Sequence, residues 1–426
     1  MKIIIDCTST QDQFANRGIG IYTNEIVTGL LSHTSRMRCR NTYNLLLFDW
    51  PTTLEKTIRE HSDIVQTVNI GPLKLSDKFN SIWWHNQFKP AIKSILANEH
   101  IDLYFCPYFW RGFPTKQVST VVMIHDLAFP VMNRYSTAPK CLDWIRKLQY
   151  HTSLNRVADA ERVITNSKQT KKDLLKYVNV SDGKVVPIYL GTPDYVHEVN
   201  PDTNTLLKYL PREVVDAGYI IYYAGLETNK NVPALVRAYN SLIKMWEVGL
   251  GDSVATKKQV PFLVLAGGDF TKLDIHNSVL SEVRNLIHDF CIDDYVYFTG
   301  FFEDEDLSDL LCGSRLFMHL SKYEGFGFAP IEAMKCGVPV VASNRSCYPE
   351  VLGNAAVLVD PSDPEKVASA AHQVLVDPKI ARSLSKKGKA QAAKYDWNLT
   401  AQKTYDLFKT IVAPEASSEK LLRILK

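Results

Sequence analysis

The sequence predicts an α/β protein made of two doubly wound, Rossmann-like parallel sheets. Short β-branched runs alternate with helical periodicity almost throughout, the pattern of sheets covered by helices on both faces. These runs fall into two series, separated at 198–218 by a stretch rich in Pro, Asn, Asp and Thr. The chain has 426 residues, too many for one ordinary core and enough for two or three domains.

Taken in order, the first series places strands at 3–6, 43–48, 103–106, 121–125, 163–166 and 185–188. The second places them at 219–224, 262–266, 296–298, 316–320, 338–342 and 357–359. The expected domains are therefore 1–200 and 215–397, with 198–218 as the junction. After them, 398–412 reads as a helix and 415–426 as an appended basic segment. Doubly wound sheets bind ligands at the carboxyl ends of their strands, so a site in the cleft between the two domains is expected.

Composition narrows the function classes. Hydrophobic content of 46% and charged content of 22% suit a soluble globular chain. A net charge of +3 gives no argument for nucleic acid. The longest apolar runs, 121–124 and 219–224, are strand-sized and well short of a membrane span. The start, Met1-Lys-Ile-Ile-Ile-Asp6, reads as a first buried strand rather than a signal peptide. Eight cysteines lack paired or metal-type spacing, and Cys7, Cys106 and Cys336 sit in apolar or tight contexts. Buried free thiols in a reducing cytoplasm are expected.

The segment Glu324-Gly-Phe-Gly-Phe-Ala-Pro-Ile-Glu332 holds two carboxylates separated by seven residues around a glycine-rich helix start. Gly325 and Gly327 let a ligand approach the backbone, Pro330 fits a first helical turn, and Gly337 suits the residue past the helix end. Such a helix start favours a phosphate. Glu324 before the turn and Glu332 in the first helical turn would flank the ligand, and carboxylates there suit the hydroxyls of a nucleotide-sugar. A helix with solvated glutamates is the competing reading.

Other segments are less specific. Arg17-Gly18-Ile-Gly20 precedes a helix expected near Ile21 and is either a plain loop or a point of close approach to a diphosphate or sugar. It is not the dinucleotide fingerprint, because Thr23 stands at the third glycine. His125-Asp126 ends an apolar strand, where His125 is structural or a ligand contact. Ser167 suits a helix N-cap. Ala224-Gly225 closes a strand before Leu226-Glu-Thr-Asn-Lys230-Asn231, whose lysine is a solvated turn residue or a point charge for a leaving diphosphate. Thr299-Gly300-Phe301-Phe302 could hold a nucleobase or pack into the core. Asp304-Glu-Asp306 has a metal-type spacing, but Leu307, Leu310 and Leu311 follow at helical intervals, so it reads as an acidic helix start. Between residues 75 and 96, Phe79, Ile82, Trp83, Phe88, Ile92 and Leu96 recur at helical spacing among Lys74, Lys78, Lys89 and Lys93, with Pro90 dividing the run. Core burial competes there with contact to a membrane surface or lipid-linked acceptor.

Together these segments resemble glycosyltransferase family 4, the retaining, mannosyltransferase-like group 1 transferases of GT-B fold, over nearly the whole chain. The resemblance implies a C-terminal helix crossing back to the first domain. It implies Glu324 on the donor sugar, the backbone of Gly325, Phe326 and Gly327 along sugar and phosphates, and Glu332 on the ribose. Lys230 would neutralise the diphosphate, Gly225 and Phe302 would belong to the donor site, the Gly18–Gly20 loop would close from the other domain, and His125 would sit beside the reacting sugar. Many members carry an arginine shortly before the loop lysine; here Gly225 stands in that place, and neither Leu226 nor Glu227 can substitute. The implied reaction moves a hexose, mannose or a relative, from a GDP-sugar to a glycan or lipid-linked glycan. It would proceed with retention and without metal or cofactor, at the cytoplasmic face of a membrane with possible peripheral contact. A UDP-glucose or UDP-galactose donor, a nucleotide-sugar epimerase and a non-catalytic nucleotide-sugar-binding subunit remain as alternatives.

Overall fold

The computed structural model describes all residues except 12–14, 16–17, 49–50, 71–88, 99, 111–114, 116, 133–139, 251–259, 271–277 and 414–426. The chain forms two compact units, Met1–Gly191 with Asp396–Lys426, and Thr192–Tyr395.

The first unit is a parallel sheet of β1 (Lys2–Asp6), β2 (Thr42–Leu47), β3 (Val65–Asn69), β4 (Leu103–Cys106), β5 (Ser119–Ile124), β6 (Arg162–Thr165) and β7 (Val185–Pro187), in the order β3-β2-β1-β4-β5-β6-β7. Central strands such as β4 are buried along their whole length, which is why they read as unbroken apolar runs. β3 is the strand that the sequence did not announce. It lies at the sheet edge, and only Val65 of Val-Gln-Thr-Val-Asn is buried, so no apolar run marks it.

Two helices close one face of this sheet: α1 (Gly18–Arg36) and the last described helix, here α4 (Trp397–Val412). Asp396 caps α4 by accepting from the Leu399 N–H at 2.9 Å. The two helices meet where Gly29 leaves room for Ala401, whose Cβ would lie 2.7 Å from a Cβ at position 29. Asn41 donates to Tyr405 Oη at 2.8 Å, Thr400 donates to the Tyr189 carbonyl at 2.8 Å, and Phe408 packs edge-on against Phe105. The C-terminal helix is thus part of the first unit. At Gly191 an added Cβ would fall 2.3 Å from the Trp397 backbone nitrogen. Gly191→Ala is expected to destabilise this unit by about 3 kcal/mol through overpacking against backbone that cannot swing aside, lowering the urea midpoint. An unchanged midpoint would show that α4 can shift to make room.

The second unit is a parallel sheet of β8 (Tyr219–Tyr223), β9 (Phe262–Ala266), β10 (Val296–Phe298), β11 (Leu316–His319), β12 (Val340–Ser343) and β13 (Val357–Val359), ordered β10-β9-β8-β11-β12-β13. Helix α2 (Val232–Leu250) packs on its core through Leu235, Tyr239 and Leu242, and α3 (Phe328–Lys335) follows β11. α3 ends in a Schellman cap: Gly337 has φ +76°, its N–H reaches the Met334 carbonyl at 3.0 Å, and the Val338 N–H reaches Ala333 at 2.9 Å.

The expected junction at 198–218 is corrected by the structure. The first unit ends at Gly191, and the polar stretch folds as helices Thr203–Tyr209 and Arg212–Ala217 within the second unit. Its polar residues are caps and anchors rather than linker: Asp202 caps the first of these helices, and Asp306 accepts from Tyr209 at 2.6 Å and Lys208 at 3.2 Å. Asp304–Asp306 forms a short turn leading into the helix Leu307–Cys312, with Leu307, Leu310 and Leu311 buried as their spacing predicts.

Ile92 and Leu96, on the helix Lys89–Asn98, are buried in the first unit's core. Phe79, Ile82, Trp83, Phe88, Arg17 and the basic segment 415–426 lie outside the described residues. Among the described residues no helix is long and apolar enough to cross a membrane. Cys7, Cys106 and Cys336 are buried free thiols.

Candidate functional site

In the second sheet β8 has β9 on one side and β11 on the other, and the chain runs out through β9 and β10 before returning to β11. The strand order therefore reverses between β8 and β11, the place where a doubly wound sheet opens a crevice for a ligand. Lys230 follows β8 and Glu324 follows β11, so both stand at that switch point. They meet: Lys230 Nζ lies 2.8 and 3.0 Å from the two carboxylate oxygens of Glu324.

The loops are built to hold this pair. Asn229 Nδ2 donates to the Tyr323 carbonyl at 3.0 Å, the Lys322 N–H donates to the Asn229 carbonyl at 2.7 Å, and Asn231 Nδ2 donates to the Leu320 carbonyl at 3.0 Å. Asn231 adopts φ +58°, a left-handed conformation that asparagine tolerates better than most side chains. Both neighbours of Lys230 are thus bonded to the loop that carries Glu324. On that loop Ser321 Oγ donates to Glu324 Oε1 at 2.7 Å, and from the loop after β12 Ser346 Oγ donates to the Glu324 carbonyl at 2.6 Å.

Beyond Glu324 the backbone turns at Gly327, which has φ +84° and forms the N-cap of α3 without a side chain to bond the helix's free N–H groups. A Cβ there would stand 2.4 Å from Tyr348 Cε1, so glycine is required by both conformation and space. Phe326 is buried against Phe328 and Tyr395, which leaves its backbone as the part able to line a ligand. Because α3 begins at Phe328, Glu332 lies in its second turn rather than the first. It is buried, and among the described residues no hydrogen bond holds its carboxyl group. Burial pushes its pKa up to about 7, with Lys335 pulling the other way.

The remaining donor-side residues divide. Gly225 accepts from Tyr222 Oη at 3.0 Å, and a Cβ on it would meet Glu227 Oε2 at 2.2 Å, so the Glu227 carboxylate covers this glycine. Phe302 packs edge-on against Tyr209 and Tyr223. Its neighbour Phe301 is the open residue of the pair, 72% exposed. Sequence reading had no means of telling which of two adjacent phenylalanines turns inward. It also missed His319 and Tyr348, which stand behind Glu324.

In the first unit the strand order reverses between β1 and β4. His125 follows β5 and bonds the loop after β4: its Nε2 lies 2.8 Å from the Pro107 carbonyl. A carbonyl only accepts, so the proton is on Nε2 and Nδ1 keeps a free lone pair. Burial lowers the His125 pKa to about 4 against the opposing effect of that bond, leaving a neutral imidazole at pH 7. Tyr22 packs edge-on against it at 4.8 Å, and Asn166 Nδ2 bonds its carbonyl at 2.7 Å. Ser167 caps the following helix through the Thr170 N–H, as expected. Gly18 and Gly20 are the first and third residues of α1, so they lie inside the helix start and not in a loop ahead of Ile21. First-turn N–H groups have no partner within a helix.

Two doubly wound parallel-sheet domains, one carrying a lysine–glutamate pair and a glycine-capped helix at its switch point, are the architecture of GT-B glycosyltransferases. Residues 211–391 match the family described as glycosyl transferases group 1, and 32–194 match glycosyltransferase family 4. The chain belongs to this family of group 1, family 4 glycosyltransferases. It is 28% identical over 313 residues to the O-antigen chain mannosyltransferase B of Escherichia coli, covering 72% of this chain and 74% of that one. It is 24% identical to the serotype-specific mannosyltransferase WbdA of Escherichia coli over 94% of this chain, but spans 47% of WbdA. In fold it is similar to sucrose-phosphate synthase from Thermosynechococcus elongatus, with a TM-score of 0.70 at 20% identity, covering 97% of this chain and all of the other.

Proposed function

We propose that the chain is a retaining hexosyltransferase that moves mannose or a related hexose from a GDP-sugar to a glycan or lipid-linked glycan. The observation that carries this reading is the Lys230–Glu324 pair at the switch point, beside the glycine-capped start of α3. The mannosyltransferase relatives support the choice of sugar.

Each group has a chemical task. The leaving nucleoside diphosphate takes its compensation from Lys230 and from the N–H groups of α3. Glu324 exchanges Lys230 for hydroxyls of the donor sugar, Glu332 accepts from the ribose hydroxyls, and the open face of Phe301 suits the base. His125 acts as a neutral hydrogen-bonding group on the sugar, since a side chain with a pKa near 4 is no cation at pH 7. Gly18 and Gly20 let a substrate approach the start of α1. The donor phosphate takes the acceptor's proton on the face the leaving group departs from, which gives retention. The charge compensation named here needs no metal or cofactor beyond the nucleotide-sugar co-substrate, and Asp306 is engaged by Tyr209 and Lys208. Transfer is therefore expected to survive chelation by EDTA. We place the reaction at the cytoplasmic face of a membrane, where a lipid-linked acceptor would be met by peripheral contact.

The test is calorimetric titration against GDP-, UDP- and ADP-sugars, with Glu332→Ala alongside. Tight binding of GDP-mannose that the variant loses is the expected result. Tight binding of a UDP-sugar instead would replace the donor, hydrolysis or epimerisation without an acceptor would replace the reaction, and an inverted linkage in the product would overturn retention.

A further inference from the structure

We propose that His319 and Tyr348 are positioning residues for Glu324, acting from behind the donor-sugar site through Ser321 and Gly327. This rests on the reading of Glu324 as the donor-sugar carboxylate.

His319 is the last residue of β11, 1% exposed, with its ring stacked between Tyr222 at 5.3 Å and Phe317 at 6.0 Å. Its Nδ1 faces two hydroxyls, Tyr348 Oη at 2.6 Å and Ser321 Oγ at 3.3 Å. Ser321 also bonds Glu324 Oε1 at 2.7 Å. A carboxylate only accepts, so the Ser321 proton is committed to Glu324. Ser321 then has a lone pair but no proton for His319, which makes Nδ1 the donor. Nδ1–H of His319 is shared between Tyr348 Oη and Ser321 Oγ, and Ser321 donates to Glu324. That leaves Nε2 a bare lone pair, and no partner meets it among the described residues.

A second line runs from the same histidine to the helix start. Tyr348 is the first residue of the helix Tyr348–Val351, and its ring lies against the backbone of Gly327, where a Cβ would be 2.4 Å from Cε1. One buried imidazole therefore fixes both the orientation of Glu324 and the ring on which the N-cap of α3 rests. Burial, with Lys230 adding to it, holds His319 neutral, and burial keeps Tyr348 a phenol, so these hydrogen bonds do not change direction across the working pH range. His319 and Tyr348 act by holding Glu324 and the start of α3 rather than by touching the substrate.

The test compares Tyr348→Phe, His319→Leu and His319→Asn with the wild type in steady-state transfer and in nucleoside diphosphate binding. Tyr348→Phe keeps the ring on Gly327 and removes only the hydroxyl; Asn at 319 keeps a donor near the place of Nδ1. Tyr348→Phe and His319→Leu are expected to lower kcat about tenfold with KM changed less than twofold. Nucleoside diphosphate affinity should stay within twofold, and His319→Asn should recover most of the rate. Tyr348→Phe with wild-type kcat would overturn the proposal. So would a loss of kcat, diphosphate affinity and melting temperature together, because that is a structural role. A wild type that binds no nucleotide-sugar would overturn the donor-site reading itself, and the proposal with it; the two failures are thus told apart.

Discussion

Replacing Lys230 by alanine is expected to lower kcat for transfer about a thousandfold, since it removes a positioned cation from the leaving diphosphate. In this structure the same cation is held by Glu324, and the pair is 22% and 11% exposed. Binding of a donor must therefore trade one partner for another, with Lys230 passing from carboxylate to phosphate and Glu324 from ammonium to sugar hydroxyls. The alanine variant leaves Glu324 with Ser321 as its side-chain donor. The cost to stability is about 2 kcal/mol, less than for a fully buried pair because water reaches one edge. Adding Glu324→Gln should return most of that stability, since no charge is left unpaired, and none of the rate. This separation decides the role. If the double variant regained activity along with stability, Lys230 would be a structural partner of Glu324; a loss of rate smaller than tenfold in Lys230→Ala would say the same.

How far the sequence could lead is visible at particular residues. β4, β8 and β9 are runs whose side chains are nearly all buried, and burial on both faces is what makes a strand readable. β3 is half solvated and was invisible for that reason. The stretch 198–218 reads as a junction because caps, anchors and linkers draw on the same polar residues, and only the contacts of Asp202 and Asp306 tell them apart. Lys230 and Glu324 could be placed because each follows a strand that the sequence shows. What stands behind them could not: His319 and Tyr348 are 29 residues apart, and no local pattern records that they touch. The start of α3 was misplaced for a related reason, since either glycine of Gly325-Phe-Gly327 could have been the cap, and the choice set which turn holds Glu332.

Glu332 gives the second large effect, through pH. Its carboxyl has a folded pKa of about 7 against an ordinary 4.5, so the folded chain binds the proton more tightly than the unfolded one. The unfolded state then holds fewer protons between those values, and the stability contribution falls as pH rises from about 4.5 to about 7, staying level beyond. The full span is about 3 kcal/mol. Glu332→Gln removes the ionisation, so the variant is expected to gain on the wild type across that window, with no further gain below pH 4 or above pH 8 in urea unfolding. A difference that does not vary with pH would mean that Glu332 is solvated in solution. Donor binding runs the opposite way. Ribose hydroxyls donating to this carboxylate favour its charged form and pull the pKa down, so binding should release a proton near pH 6. Affinity for the nucleotide-sugar is then expected to fall about 100-fold from pH 7.5 to pH 5. Titration in two buffers of different ionisation enthalpy reads the released proton directly. Glu332→Gln should abolish the release and flatten the affinity profile. Persistence of both in the variant would move the proton, and with it the ribose contact, to another group.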